Sequence, residues 1–303
     1  MAARSRAPTL ALVAPSGALP EGLADRAARF FARRGWRVQA GESCFARDTR
    51  FAGPDELRLH DLQRFATDRR IDVVLSARGG YGLSRLLDGL DFDAIARAGR
   101  IIVGLSDFTA FNLAYLARAG GISFQGPSAG DFAAEAPDAF TTEQFFATLT
   151  RREHRIEFDG DGPDCIAEGT LWGGNLALVA ALLGTPFFPR VRRGILFLED
   201  VNEPAYRVER MLYQLLHAGV LHRCRAIVLG DFSPMPVQPT DNGFDLAAVV
   251  VRLRSQVDAP VLSGLPFGHV RRKLTLPVGA PARLQARAGR IELAFSGHPT
   301  LRA

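Results

Sequence analysis

Cysteine is scarce in this chain. The only three, Cys44, Cys165 and Cys224, lie far apart, and no CxxC pair exists. That excludes both a disulfide framework and a cysteine zinc site, and it fits a reducing compartment. No apolar stretch approaches the ~20 residues of a membrane span. The first apolar run, Leu10 to Ala14, is too short for the core of an export signal and ends at Pro15-Ser16-Gly17, so it reads as a strand. The segment Met1 to Ala7 before it is short and basic. A cytoplasmic protein with no membrane partner is expected. There is no HExxH motif and no cluster of histidine and cysteine, so no metal is expected. The turn Arg78-Gly79-Gly80-Tyr81-Gly82 is not GxGxxG, so the dinucleotide fingerprint is absent too, and no cofactor is expected. A long basic run is also missing. The net charge of +5 comes from scattered arginines, without a zinc-finger, helix-turn-helix or RNA-binding signature. These read as solvated faces that attract anions weakly, and no nucleic acid partner is expected.

What is present is an ordinary globular balance over 303 residues, 47% hydrophobic and 23% charged, enough for one large or two ordinary domains. Short apolar runs alternate with helical patterns in the first half. Thr9 to Ala14, Trp36 to Ala40, Ile71 to Ser76, Ile101 to Leu105 and Ile122 to Gln125 read as strands, and Glu21 to Arg34, Asp55 to Asp68 and Phe108 to Ala119 as helices. Such alternation predicts an α/β fold with a parallel sheet covered on both faces. From Arg151 to Glu168 the pattern loosens around Asp159-Gly160-Asp161-Gly162-Pro163. That predicts domains at 1–150 and 169–303 joined by a linker at 151–168. In the second part, Gly194 to Leu198 and Ala226 to Gly230 read as strands. Asn175 to Leu183, Pro204 to Ala218 and Phe244 to Gln256 read as helices, and the tail from Leu274 to Phe295 as β hairpins.

In open parallel sheets, ligands lie beyond the carboxyl ends of the strands. Four strand or loop exits carry chemistry. Ser106 follows a strand and precedes a helix, as the nucleophile does on a strand-to-helix elbow, although Phe108 stands where the usual elbow has a second glycine. The Asp107 N–H, at the helix start, can hold an oxyanion. The alternative is that Ser106 only caps the helix. The glycine-rich turn at 78–82 lets backbone approach a ligand and offers the Gly80 N–H as a second oxyanion donor; otherwise it is an ordinary tight turn. Glu199 ends a wholly apolar strand and needs a partner there, with Asp200 and Glu203 as rivals. His269 sits in a loop-like stretch, where a lone histidine is more often structural. The chain order Ser…Glu…His nonetheless matches one known triad order.

Six blocks in register resemble the LD-carboxypeptidase family of serine peptidases. They are Val13-Ala14-Pro15-Ser16-Gly17, Arg78 to Gly82, Gly104-Leu105-Ser106-Asp107-Phe108-Thr109, Trp172-Gly173-Gly174-Asn175-Leu176, Leu196 to Val201 and Leu274-Thr275-Leu276-Pro277-Val278-Gly279. The resemblance runs through nearly the whole chain. It implies a flavodoxin-like N-terminal domain, a swivelling β/α C-terminal domain and a homodimer. It also implies a triad of Ser106, His269 and Glu199, and hydrolysis of an L,D peptide bond that releases D-alanine from a murein-derived tetrapeptide. Arg78, Tyr81, Trp172 and Gly173 stand in the matching blocks as candidate substrate contacts. The chain departs from the family after His269, where Val270-Arg271-Arg272-Lys273 follow in place of a Gly. Arg271 is a further candidate, because arginine binds carboxylates bidentately. Two other readings stay open: a family relative that cleaves peptidyl-nucleotide antibiotics, and a non-catalytic α/β ligand-binding protein. The antibiotic-cleaving relatives tend to be longer and richer in aromatic residues, and this chain has only Trp36 and Trp172 as tryptophans.

Overall fold

The structure, a computed structural model, describes residues 6–301; the first five residues of the basic N-terminal segment lie outside the described residues. In chain order the elements are β1 (Thr9–Val13), α1 (Leu23–Ala32), β2 (Arg37–Ala40), α2 (Asp55–Thr67), β3 (Val73–Ser76), α3 (Phe92–Ala98), β4 (Ile101–Gly104), α4 (Thr109–Ala119), β5 (Ser123–Gln125), α5 (Ala129–Phe132) and α6 (Ala139–Thr150). Then follow β6 (Glu153–Asp159), β7 (Cys165–Asn175), α7 (Leu176–Leu182), β8 (Gly194–Glu199), α8 (Ala205–His217), β9 (Cys224–Leu229), α9 (Leu246–Arg254), β10 (Val261–Ser263), β11 (Leu276–Val278), β12 (Pro281–Arg287) and β13 (Arg290–Ser296).

The first sheet has the order β11-β5-β4-β3-β1-β2, with β1 to β5 parallel. Its 2-1-3-4-5 core is the flavodoxin-like order, which reverses direction between β1 and β3 and leaves a crevice there. Strands buried on both faces explain the unbroken apolar runs. Along β1 the side chains alternate between two cores. Leu10 and Leu12 pack with Phe30 and Phe31 of α1 and Phe145 of α6. Ala11 and Val13 pack with Leu62 and Phe65 of α2, Ile95 of α3 and Phe111 of α4. Phe31 is fully buried, and truncating it to alanine should cost ~3–5 kcal/mol.

The second sheet runs β10-β9-β8-β7-β12-β13-β6. β7 to β10 are parallel, while β12, β13 and β6 add antiparallel strands. Two expectations are corrected here. The segment 151–168 is not a linker. Glu153–Asp159 pairs along its whole length with β13, burying His154, Ile156 and Phe158 between exposed charges. Its partner lies more than 130 residues away, so no local pattern could show the pairing. The tail is also not hairpins throughout. Only β12 and β13 form one, whereas β11 returns to the edge of the first sheet beside β5. Pro277 is tolerated there because an edge strand can spare its N–H.

The two sheets meet at α4. Thr109 Oγ1 accepts from Gln125 Nε2 at 2.7 Å and from the Asn175 N–H at 3.0 Å. Gly174, at φ +135°, passes so close that a Cβ there would lie 2.7 Å from Thr109 Oγ1. The helix after Ser106 is thereby fixed to the end of β7, next to β8 and Glu199.

Candidate active site

Ser106 leaves β4 at φ +65°, a left-handed conformation that costs a non-glycine residue free energy and persists only where the surroundings impose it. Two neighbours do so. Phe108 is fully buried against Gly104, where a Cβ would fall 2.2 Å from its ring. The absent second glycine is thus replaced by an aromatic anchor, and the glycine it requires is Gly104. On the other side Gly79 abuts the serine: a Cβ at Gly79 would lie 2.6 Å from Ser106 Cβ and 2.9 Å from its Oγ. The adjoining Gly80 has φ +108°.

Beneath the elbow, Asp107 is buried and its Oδ2 accepts from Ser16 Oγ at 2.6 Å and the Leu83 N–H at 2.8 Å. Burial pushes the Asp107 carboxyl up, against those hydrogen bonds and nearby Arg58. Arg58 is fully buried and donates to the carbonyls of Pro15, Gly53 and Gly82, and to Asp55. It ties together the loops after β1 and β3 at the switch point. Sequence reading passed Arg58 over because it looks like any charged position of an amphipathic helix.

Glu199 at the end of β8 is fully buried, and its Oε2 stands 2.7 Å from His269 Nδ1. That contact leaves Nε2 as the ring nitrogen available to the cleft. The neighbouring Asp200 points the other way. It accepts from Asn175 Nδ2 at 2.9 Å, the Ala177 N–H at 2.9 Å and the Val201 N–H at 2.8 Å, which caps α7. Burial raises the Asp200 carboxyl. Glu203, the other rival, pairs with Arg207 at 2.8 Å within α8 and its approach.

Ser106 and His269 line one cleft of ≈ 520 Å³, together with Arg78, Gly79, Gly80, Arg50, Asn202 and Lys273. Of the candidate substrate contacts, Arg78 lines it and donates to the Ala18 carbonyl at 2.7 Å. Tyr81 is half exposed outside the lining, against Phe51. Trp172 and Gly173 do not reach the cleft. Trp172 lies in the core against Phe188, and Gly173 lets β7 approach the Phe197 carbonyl. Arg271 turns away to the Ala136 carbonyl at 2.8 Å. Of the three consecutive cations it is Lys273 that enters the cleft, paired with Asp131 at 2.6 Å. A larger cavity of ≈ 600 Å³ lies on the charged face of β6, β13 and β12 and shares no residue with this site.

A left-handed serine at a strand-to-helix exit, an imidazole in the same cleft and a buried carboxylate behind it are the side-chain set of a serine hydrolase on an α/β fold. The chain matches the LD-carboxypeptidase N-terminal domain over residues 10–126 and the LD-carboxypeptidase C-terminal domain over residues 168–284. It is 31% identical over 287 residues to the murein tetrapeptide carboxypeptidase of Pseudomonas aeruginosa, covering 91% of this chain and 92% of that one. Its fold superposes on the crystal structure of muramoyltetrapeptide carboxypeptidase from Oxalobacter formigenes with a TM-score of 0.92 and 43% identity, over 96% of this chain and 100% of that one. The microcin C7 self immunity protein, at 24% identity and 97% coverage of both chains, shares the fold with a TM-score of 0.88. The chain belongs to the LD-carboxypeptidase family of serine peptidases.

Proposed function

We propose that the protein is a cytoplasmic, homodimeric carboxypeptidase that hydrolyses the L,D bond of a murein tetrapeptide, releases terminal D-alanine and returns the peptide to cell-wall recycling. The observation that carries this reading is the 2.7 Å pairing of His269 with a fully buried Glu199 in the cleft that Ser106 lines. His269 Nε2 takes the proton of Ser106 as Oγ attacks the peptide carbonyl. Glu199 holds the imidazole in that tautomer and stabilises the cation that forms. The N–H groups of Asp107 and Gly80 receive the oxyanion, each worth ~3 kcal/mol by analogy with other oxyanion holes. His269 then hands the proton to the leaving amine of D-alanine. Water, deprotonated by the same imidazole, releases the acyl group and regenerates Ser106.

The murein substrate is supported by the named activities of the relatives at 31% and 43% identity. Purified protein given murein tetrapeptide should release one D-alanine per tripeptide formed, and Ser106→Ala protein should release none. Folded wild-type protein that leaves the tetrapeptide intact but cleaves an aminoacyl-sulfamoyl nucleoside would transfer the assignment to the antibiotic-cleaving branch. Light scattering on the purified protein tests the homodimer.

A further inference from the structure

The chain holds 37 lysines and arginines, and 36 of them are arginine; the single lysine is Lys273. A composition so biased toward arginine does not by itself explain one lysine, least of all on the wall of the cleft that Ser106 and His269 share. Its position is built. The side chain is only 5% exposed and Nζ lies 2.6 Å from Asp131 Oδ1. The Lys273 N–H donates to Thr141 Oγ1 at 2.8 Å, and the same hydroxyl donates to the Arg271 carbonyl at 2.7 Å. Asp131 is fixed in turn, its Oδ2 accepting from the Ser128 N–H at 2.8 Å and from Ser128 Oγ at 3.2 Å. Arg271 and Arg272 are turned elsewhere, the first to the Ala136 carbonyl and the second over the Phe140 ring at 3.8 Å.

An ammonium has three N–H donors, and Asp131 is its one hydrogen-bond partner among the described residues. A fixed, largely desolvated cation with donors to spare binds a carboxylate far better than a solvent-screened one. Arg50 and Arg78, the other cations of the cleft, are exposed. Lysine brings to the place a compact point charge with three rotatable donors rather than a planar fork. We infer that Lys273, held by Asp131, is the specificity-determining residue that reads the free terminal carboxylate of the peptide and so restricts the enzyme to exopeptidase cleavage. This rests on the carboxypeptidase reading above.

The test uses binding, so that it does not depend on turnover. In full-length Ser106→Ala protein, the dissociation constants of murein tetrapeptide and of its C-terminal amide are measured by calorimetry. The free acid should bind about 10–100-fold tighter, the worth of one charge-assisted hydrogen bond. Adding Lys273→Met should bring that ratio close to one. The paired variant Asp131→Asn with Lys273→Met, which leaves no unpaired carboxylate, should do the same. Asp131→Asn alone should keep the ratio or raise it, because it frees the ammonium. A ratio that survives in both lysine variants overturns the inference. So does a parallel fall in melting temperature and in affinity for both peptides across the Asp131 and Lys273 variants, which marks the pair as a brace. A collapsed ratio together with wild-type protein that does not cleave the tetrapeptide would sustain the inference and sink the catalytic reading instead.

Discussion

His269 Nδ1 stands 2.7 Å from Glu199 Oε2, while Asp200, the next residue, makes all its hydrogen bonds on the opposite side of the strand. Successive strand side chains point to opposite faces, so one carboxylate serves the cleft and the other the start of α7. Glu199→Gln should therefore lower kcat on murein tetrapeptide by a factor on the order of 10⁴ with little change in KM. Asp200→Asn should leave kcat nearly intact and lower stability by about 1–3 kcal/mol, as the acceptors at the α7 cap are weakened. Kinetics and denaturant melts on both variants decide the matter; a dead Asp200→Asn beside a near-normal Glu199→Gln would reverse the assignment.

Ser106→Ala should bring turnover below roughly one thousandth of wild type without loss of fold. The positive φ gives a second expectation. Ser106→Gly, equally inactive, should be more stable than Ser106→Ala by about 1 kcal/mol, because glycine accepts the left-handed conformation without a Cβ clash. Equal melting curves for the two variants would show that the elbow is not strained.

Gly79 tests the packing of the elbow. Its missing side chain would occupy space 2.6 Å from Ser106 Cβ, so Gly79→Ala must shift either the turn or the serine. A displacement near 1 Å should lower kcat/KM about 100-fold while the protein remains folded. Unchanged kcat/KM would mean that the turn yields and the serine stays in place.

Acid should destabilise the junction between α6 and the second sheet. His154 is buried beside Gln144, with His298 and Phe295 near it, and burial lowers its pKa to about 4. Burial lowers His298 as well. Between the ordinary histidine value near 6.5 and about 4, the unfolded chain binds a proton that the folded one refuses. Stability is therefore full above that window and falls as pH drops through it, on the order of 3 kcal/mol for His154. Melting temperatures from pH 7 to pH 4 should fall less steeply in His154→Gln. An identical slope would place the acid sensitivity elsewhere.

Much of the fold was legible because it is written in local periodicity. The buried strands β1, β3, β4 and β8 read as unbroken apolar runs, and α1, α2, α4 and α8 as apolar faces at helical spacing. The positions of Ser106, Glu199 and His269 at strand or loop exits followed from the same reading, and the six-block resemblance set their register. What failed to show were relations over long chain separations. β6 paired with β13 and β11 added to β5 are tertiary choices, made by which edges meet after the chain folds. Arg58 and Lys273 failed for a related reason: a charged residue looks solvated in sequence, and only packing reveals that it is buried and what it faces.

The sequence by itself determined the sheet-forming runs, the elbow and the family, since each depends on residue types within a few turns of chain. The resemblance already implied Glu199 rather than Asp200 as the partner of His269, whereas the tertiary structure alone decided that Lys273 rather than Arg271 enters the cleft. It also decided that Trp172 packs in the core. These outcomes depend on which face of an element meets which neighbour, a property of packing between segments, such as those that carry Lys273 and Asp131.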